Sequence, residues 1–130
     1  MVILFDQFHL PDDIFQIVFS TEQQVVVAKL LLEEFKQNEG VLGKTEMSIF
    51  ANRLHEGTVV EIPEMLGPVK HYKKIRMSYN KRQFYDRILT PMKSMGMIDY
   101  DMYKKKYLIS DKFTSSMKKV GLMWIQEIKR

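Results

Sequence analysis

Cysteine is missing from this chain of 130 residues, which excludes disulfides, thiolate metal sites and thiol nucleophiles together. Long apolar runs are missing too: none approaches the ~20 residues that a membrane helix requires. Histidine is scarce and scattered, and His9, His55 and His71 match neither an HExxH pattern nor any other metal-ligand spacing. Gly40, Gly43, Lys44 and Thr45 imitate a phosphate loop, but the first glycine stands too close to the second for the Walker spacing. Glu33-Glu34 reads as an exposed helical pair rather than a catalytic dyad. The expectation is a protein without catalytic residues, metal or cofactor. The start, Met1-Val2-Ile3-Leu4-Phe5-Asp6, lacks the basic region of a secretory signal and meets Asp6 early. With no cysteine, this fits an intracellular protein.

Charge is present but unevenly spread. Residues 1–66 carry 4 Lys/Arg against 11 Asp/Glu, and residues 67–130 carry 16 against 5. A basic half joined to an acidic half favours an anionic partner for one face of the molecule. The plain alternative is a solvated basic surface with no partner.

The stretch Ser78–Ser110 organises the rest. Asn80 with Gln83 imitates a capping box, so a helix is expected to begin there. Phe84, Ile88, Pro91, Met92 and Met95 then fall on one side of a 3.6-residue helix. Gly96 is placed to end it in the left-handed conformation. Two short β-type runs follow, Met97–Asp101 and Lys106–Ser110, around Met102-Tyr103-Lys104-Lys105. Pro91 removes a backbone donor, so the helix should kink after Arg87–Thr90 or restart with Thr90 as a cap.

The residues Arg87-Ile88-Leu89, Gly96-Met97-Ile98, Lys105-Lys106-Tyr107-Leu108-Ile109-Ser110 and Phe113 resemble winged-helix DNA-binding regulators of the PadR and MarR kind, over roughly the C-terminal half. The resemblance implies a mainly α protein with a small β-wing: an α+β winged helix-turn-helix. Its expected parts are an N-terminal arm over 1–20, a winged-helix domain over 21–110 with an insertion at 56–77, and a C-terminal dimerisation helix over 111–130. The resemblance also implies a cytoplasmic location in a prokaryote, its virus or its plasmid.

Upstream, Val2–Phe5 reads as a short strand and Pro11-Asp12-Asp13 as a turn or helix start. Phe5, Phe8, Leu10, Ile14 and Phe15 make the arm too apolar for a disordered tail, so it should pack on the domain or on a second copy. Residues 21–38 read as a helix with the stripe Val25, Ala28, Leu31, Leu32 and Phe35. Val41–Gly43 is short and extended, and Thr45 looks like the N-cap of a helix running to His55. A helix-turn-helix pair is usually joined by 3–4 residues, whereas roughly twenty intervene here. Gly57–Pro63 and Val69–Arg76, around a Gly67-Pro68 turn, read as an inserted hairpin.

With Phe84 inward, rotation of about 100° per residue turns Tyr79, Arg82, Asp86, Thr90 and Lys93 outward. The resemblance makes helix 78–96 the major-groove element and wing 97–110 a backbone contact. Arg82 is the candidate for guanine, and Asn80 or Gln83 for adenine. Ser78 and Tyr79 stand at the helix entry. Lys81, Arg87 and Lys93 are phosphate contacts, as are Lys104, Lys105 and Lys106 beside Tyr103 on the wing. Lys70, Lys73, Lys74 and Arg76, with His71, extend the basic surface. Asp86 lies four residues from Arg82 and can pair with it. In the last segment, Asp111 is a candidate cap, and Phe113, Met117, Val120, Trp124 and Ile128 form a stripe flanked by Leu122, Met123 and Ile125. That width points to a homodimer, unless residues 1–20 cover the second flank.

The functional expectation is a sequence-specific binder of double-stranded DNA, a dimeric transcriptional regulator with no membrane association. A partition or replication-origin binder would use the same charge and fold. A protein-interaction module on that fold is the alternative from another class. No feature of the chain points to a small-molecule effector.

Overall fold

The computed structural model describes residues 5–67 and 69–130, with the side chains of 63–66, 69 and 70 outside that description. It is a mixed helix-and-sheet protein. Helix α1 (Ile14–Val18) opens it, with Asp13 accepting from the Phe15 amide at 2.9 Å as N-cap. Of the strand expected over Val2–Phe5, only Phe5 is described, and it lies outside regular structure. Helix α2 (Glu22–Gln37) is capped by Thr21, whose hydroxyl accepts from the Gln24 amide at 3.1 Å. Of its expected stripe, Val25, Ala28, Leu31 and Phe35 are buried and Leu32 is partly buried, while Val27 joins them in the core. The arm lies on this helix: Phe15 and Phe19 are buried, and Lys29 of α2 pairs with Asp13.

Strand β1 (Val41–Gly43) leads directly into helix α3 (Lys44–Glu56). The helix therefore begins one residue before the expected cap Thr45. The Glu46 carboxylate reaches back to accept from the Gly43 amide at 3.0 Å, which satisfies a backbone donor at the helix entry without a side chain on residue 43. The insertion is a hairpin, β2 (Thr58–Leu66) antiparallel to β3 (Val69–Met77). Pro68 of the expected turn lies outside the described residues, while Gly67 takes φ +64°.

Helices α4 (Lys81–Phe84) and α5 (Thr90–Ser94) are joined by a wider π-helical turn, Tyr85–Leu89. The helical run continues through Pro91, and Thr90 does not restart it as a cap, contrary to that expectation. Thr90 stays right-handed at φ −60°, ψ −48°, and its amide donates to Tyr85 O. A π turn steps the hydrogen bonds to i→i+5 just where a proline lacks the i→i+4 donor. The extra residue also shifts the inward face, so Leu89 joins Phe84, Ile88 and Met92 in the core. The amides of Gly96 and Met97 close the helix on the carbonyls of Lys93 (3.1 Å) and Met92 (2.9 Å), a Schellman end with Gly96 at φ +85°.

Strands β4 (Ile98–Asp101) and β5 (Lys106–Ile109) follow as an antiparallel ribbon. β1 adds to β5 with Leu42 opposite Tyr107, giving a three-stranded sheet in the order β1-β5-β4. The core is one cluster, in which Phe84 meets Phe50 at 5.5 Å between ring centroids and lies with Leu31, Phe35 and Leu54.

Helix α6 (Lys112–Lys129) leaves this body. Asp111 makes no side-chain cap; Ser110 Oγ accepts from the Lys112 amide instead, at 3.2 Å. The Phe113 amide donates to Gly96 O at 3.0 Å, and Lys112 pairs with Asp99 of β4. Phe113 is half-buried, and every residue from Thr114 onward is exposed. Residues 5–20 therefore do not cover its second flank.

Two tests follow from the α6 root. A Cβ on Gly96 would stand 2.9 Å from Lys112 Cβ and 2.9 Å from the Phe113 amide nitrogen. Gly96→Ala should lower stability in a urea titration by at least the ~1–2 kcal/mol of a left-handed L-residue. The hydrogen bond from Lys112 holds the Asp99 carboxyl below its ordinary 3.8. Its contribution is therefore present above that value and lost as pH falls through the lower folded value. Exchange protection of the Phe113 amide should fall over that acid window in the native chain, and Asp99→Asn should abolish the dependence.

Candidate nucleic-acid interface

Burial decides which side of helix α4–α5 is free. Phe84, Ile88, Leu89 and Met92 are each at most 2 % exposed, and burial of such side chains is worth about 1.5–3 kcal/mol each. The opposite side holds Arg82, Gln83, Asp86, Arg87, Thr90 and Lys93, all exposed. Arg82 and Asp86 approach to 3.8 Å, with side chains 91 % and 67 % exposed, a contact that water and salt weaken. Asp86 thus occupies Arg82 only loosely.

The helix entry corrects the outward face. Tyr79 is 5 % exposed and belongs to the core cluster. Residue 79 precedes the helix, so the helical wheel does not apply to it. Its amide donates to Leu54 O at 2.8 Å, and the Ser78 carbonyl accepts from Gln23 Nε2 at 3.2 Å. Tyr79 is therefore removed from the base-contacting set. Asn80 is the N-cap, its Oδ1 accepting from the Gln83 amide at 3.1 Å. Bidentate reading of adenine by Asn80 would require releasing that cap, which leaves Gln83 better placed.

Lys81 is half-exposed, and its amide donates to His55 Nδ1 at 3.2 Å. His55, Asn80, Lys81, Arg82 and Tyr85 line a shallow depression at the helix start. In the sequence His55 is one of three scattered histidines. The contact joins residues 26 positions apart and depends on how α3 meets α4, for which no local pattern exists.

The ribbon stands beside the other end of the helix. Lys93 places its ammonium 5.6 Å from the Tyr100 ring and 5.9 Å from that of Tyr107. Burial raises the Tyr107 hydroxyl above its ordinary value, with Tyr85 and Tyr100 adding to the effect. At the tip, Asp101 Oδ1 accepts from the amides of Tyr103 (3.0 Å) and Lys104 (3.1 Å), which fixes the turn. Lys104, Lys105 and Lys106 are exposed, and Tyr103 is 99 % exposed. Lys105 sits at φ +53°, and its carbonyl accepts from the Lys44 amide at 3.2 Å. Lys44 is thereby added to the basic tip, a neighbour that only the β1–β5 pairing reveals.

The hairpin divides the third basic group. Strand alternation puts Lys74 and Arg76 on the face of Tyr72 and Val59, and Lys73 and His71 on the face of Ile75 and Met77. Arg76 is also held, with Nη2 at 3.4 Å from the Glu56 carbonyl and its guanidinium against Gly57. The Lys70 side chain lies outside the described residues. This cluster is not one continuous surface.

Comparison with known proteins gives no match to a family model, a curated sequence or a solved structure.

The cap of Asn80 is directly measurable. Asn80→Ala should cost about 0.5–2 kcal/mol in chemical denaturation. Asn80→Ser should recover most of that loss, since a hydroxyl at the N-cap accepts the same bond.

Proposed function

We propose that the chain binds double-stranded DNA as a winged-helix protein of the PadR and MarR kind, with helix 81–94 in the major groove and the β4–β5 ribbon on the flanking backbone. What supports this reading is the charge left available on adjoining elements. Among the described residues, Lys81, Arg87, Lys93, Lys104, Lys105 and Lys106 have no carboxylate partner within ion-pair distance. Cations without an internal partner are suited to replace counterions along a phosphate backbone. Lys44 strengthens the ribbon's share. The element order helix, strand, helix, hairpin, helix, ribbon agrees with the same reading when the hairpin is taken as an insertion.

In this reading Arg82 and Gln83 face base edges, while Arg87, Lys93 and the ribbon lysines hold phosphates. Exposed α6 joins two copies, so that two recognition helices meet a site with two-fold symmetry. The role is transcriptional regulation in the cytoplasm of a prokaryotic cell, or on a viral or plasmid genome. A protein-interaction role for α6 toward a different partner is the second reading, favoured by its apolar exposure alone.

Recovery of bound fragments from a genome, followed by titration on the recovered duplex, tests the proposal; absence of enrichment above random sequence overturns it. On that duplex Arg82→Ala should lose more affinity than on random DNA, by roughly the 1–3 kcal/mol of a bidentate base contact. Equal losses would remove its base-reading role. Lys105→Ala should weaken both duplexes alike and flatten the salt slope by about one unit.

A further inference from the structure

Helix α6 is 18 residues long and has no buried residue, yet it displays Met117, Val120, Met123, Trp124, Ile125 and Ile128 at 40–67 % exposure. In proteins most helical stability comes from packing an apolar face rather than from propensity. Those six side chains present roughly 600 Å² per copy at about 150–250 Å² for a large aromatic and less for aliphatic side chains. Two copies therefore expose about the 1,200 Å² at which specific interfaces begin, an upper bound on what a pair buries, since Met123 and Ile125 stand about 90–110° from the stripe.

The arrangement of the stripe carries more than the area. Phe113, Met117, Val120, Gly121, Trp124 and Ile128 are placed symmetrically about the point between residues 120 and 121. Phe113 is as far from that point as Ile128, Met117 as Trp124, and Val120 as Gly121. Such a stripe reads the same in both directions, so a helix running the opposite way can set apolar against apolar at every level.

Gly121 is the second observation. A glycine inside a helix costs about 1 kcal/mol relative to alanine. Nothing lies within 4 Å of where its Cβ would be, and its φ is not positive. Nothing among the described residues requires glycine there. At the centre of a helix crossing the requirement is plain, because a missing side chain lets the axes approach, and interaxial distance follows the residues at the contact.

We propose that the α6 helices of two copies pair antiparallel and cross at Val120–Gly121. Val120 of each copy fills the space left by Gly121 of the other. Met117 lies against Trp124, thioether against indole, a favourable pairing, and Phe113 lies against Ile128. A parallel pair would instead bring Lys118 and Lys119 of both copies to the same level and stack Trp124 on Trp124. Antiparallel pairing moves the two lysines to the levels of Met123 and Leu122. The proposal rests on the two-copy reading above and adds its direction and register. Because α6 is rooted on Gly96 and Asp99 beside the ribbon, that register sets the distance between the two recognition helices.

The absence of cysteine makes cross-linking of introduced thiols unambiguous. Val120→Cys, Phe113→Cys and Ile128→Cys are each purified, checked for native circular dichroism and mass in solution, and oxidised. Antiparallel pairing is expected to cross-link Val120→Cys with itself and an equimolar mixture of Phe113→Cys and Ile128→Cys, with neither of the latter cross-linking alone. Self-cross-linking of Phe113→Cys and of Ile128→Cys overturns the antiparallel register while leaving the two-copy reading standing. A dimer that forms none of these bonds overturns α6 pairing. A native chain that stays monomeric at high concentration overturns both readings. Gly121→Leu, exposed in the single chain and harmless to its core, should weaken dimerisation at least tenfold by sedimentation; unchanged association also overturns the crossing.

Discussion

Packing of the side of helix 81–94 that carries Phe84, Ile88, Leu89 and Met92 against helices α2 and α3 is the constraint on which the remaining arrangement depends. Those side chains are closed off from water together with Leu31, Phe35, Phe50 and Leu54. Once that face is committed, the opposite one, with Arg82, Gln83, Asp86 and Arg87, has nowhere to go but solvent. Pro91 falls within the same helix, and a straight α-helical ladder would lose a bond there. The widened turn at Tyr85–Leu89 absorbs the defect and turns one more apolar residue inward. A local backbone irregularity thereby sets the rotation of the exposed side as well.

The ends of this helix tie it to everything else. At its start, Asn80 caps the backbone and His55 meets the Lys81 amide. At its finish, Gly96 turns the chain and its carbonyl receives the Phe113 amide. The ribbon is held by the aromatic pair Tyr100–Tyr107, 4.6 Å apart, beneath the Lys93 ammonium. A change at Gly96 is thus felt at once in the helix, the ribbon and the root of α6. The proposed DNA surface and the proposed pairing helix share this corner.

Local pattern carried much of this. Helix 22–37, the Asn80 cap, the Gly96 exit, the strands of the ribbon and the hairpin between α3 and α4 all follow from period, capping chemistry and turn residues within a few positions of one another. What local pattern misjudged has a physical reason at each residue. A helical wheel does not apply to Tyr79, which lies ahead of the helix. A wheel of fixed period cannot contain a π turn and so misses Leu89 on the inward face. Lys73, Lys74 and Arg76 read as one cluster in sequence, yet a strand sends alternate residues to opposite faces. Lys44 and His55 belong beside the candidate interface through contacts with residues far along the chain.

By itself the sequence determined most of the elements, the separation of acidic and basic halves, and the symmetric apolar stripe of α6, since each depends only on residue type and spacing along the backbone. Tertiary structure alone decided that β1 joins the ribbon, that the hairpin divides its cations, that Arg76 is drawn to the Glu56 carbonyl, and that nothing within the described chain covers α6. These are outcomes of which surfaces meet across long stretches of chain, and meeting is settled by the burial of the whole core rather than by any neighbouring residues.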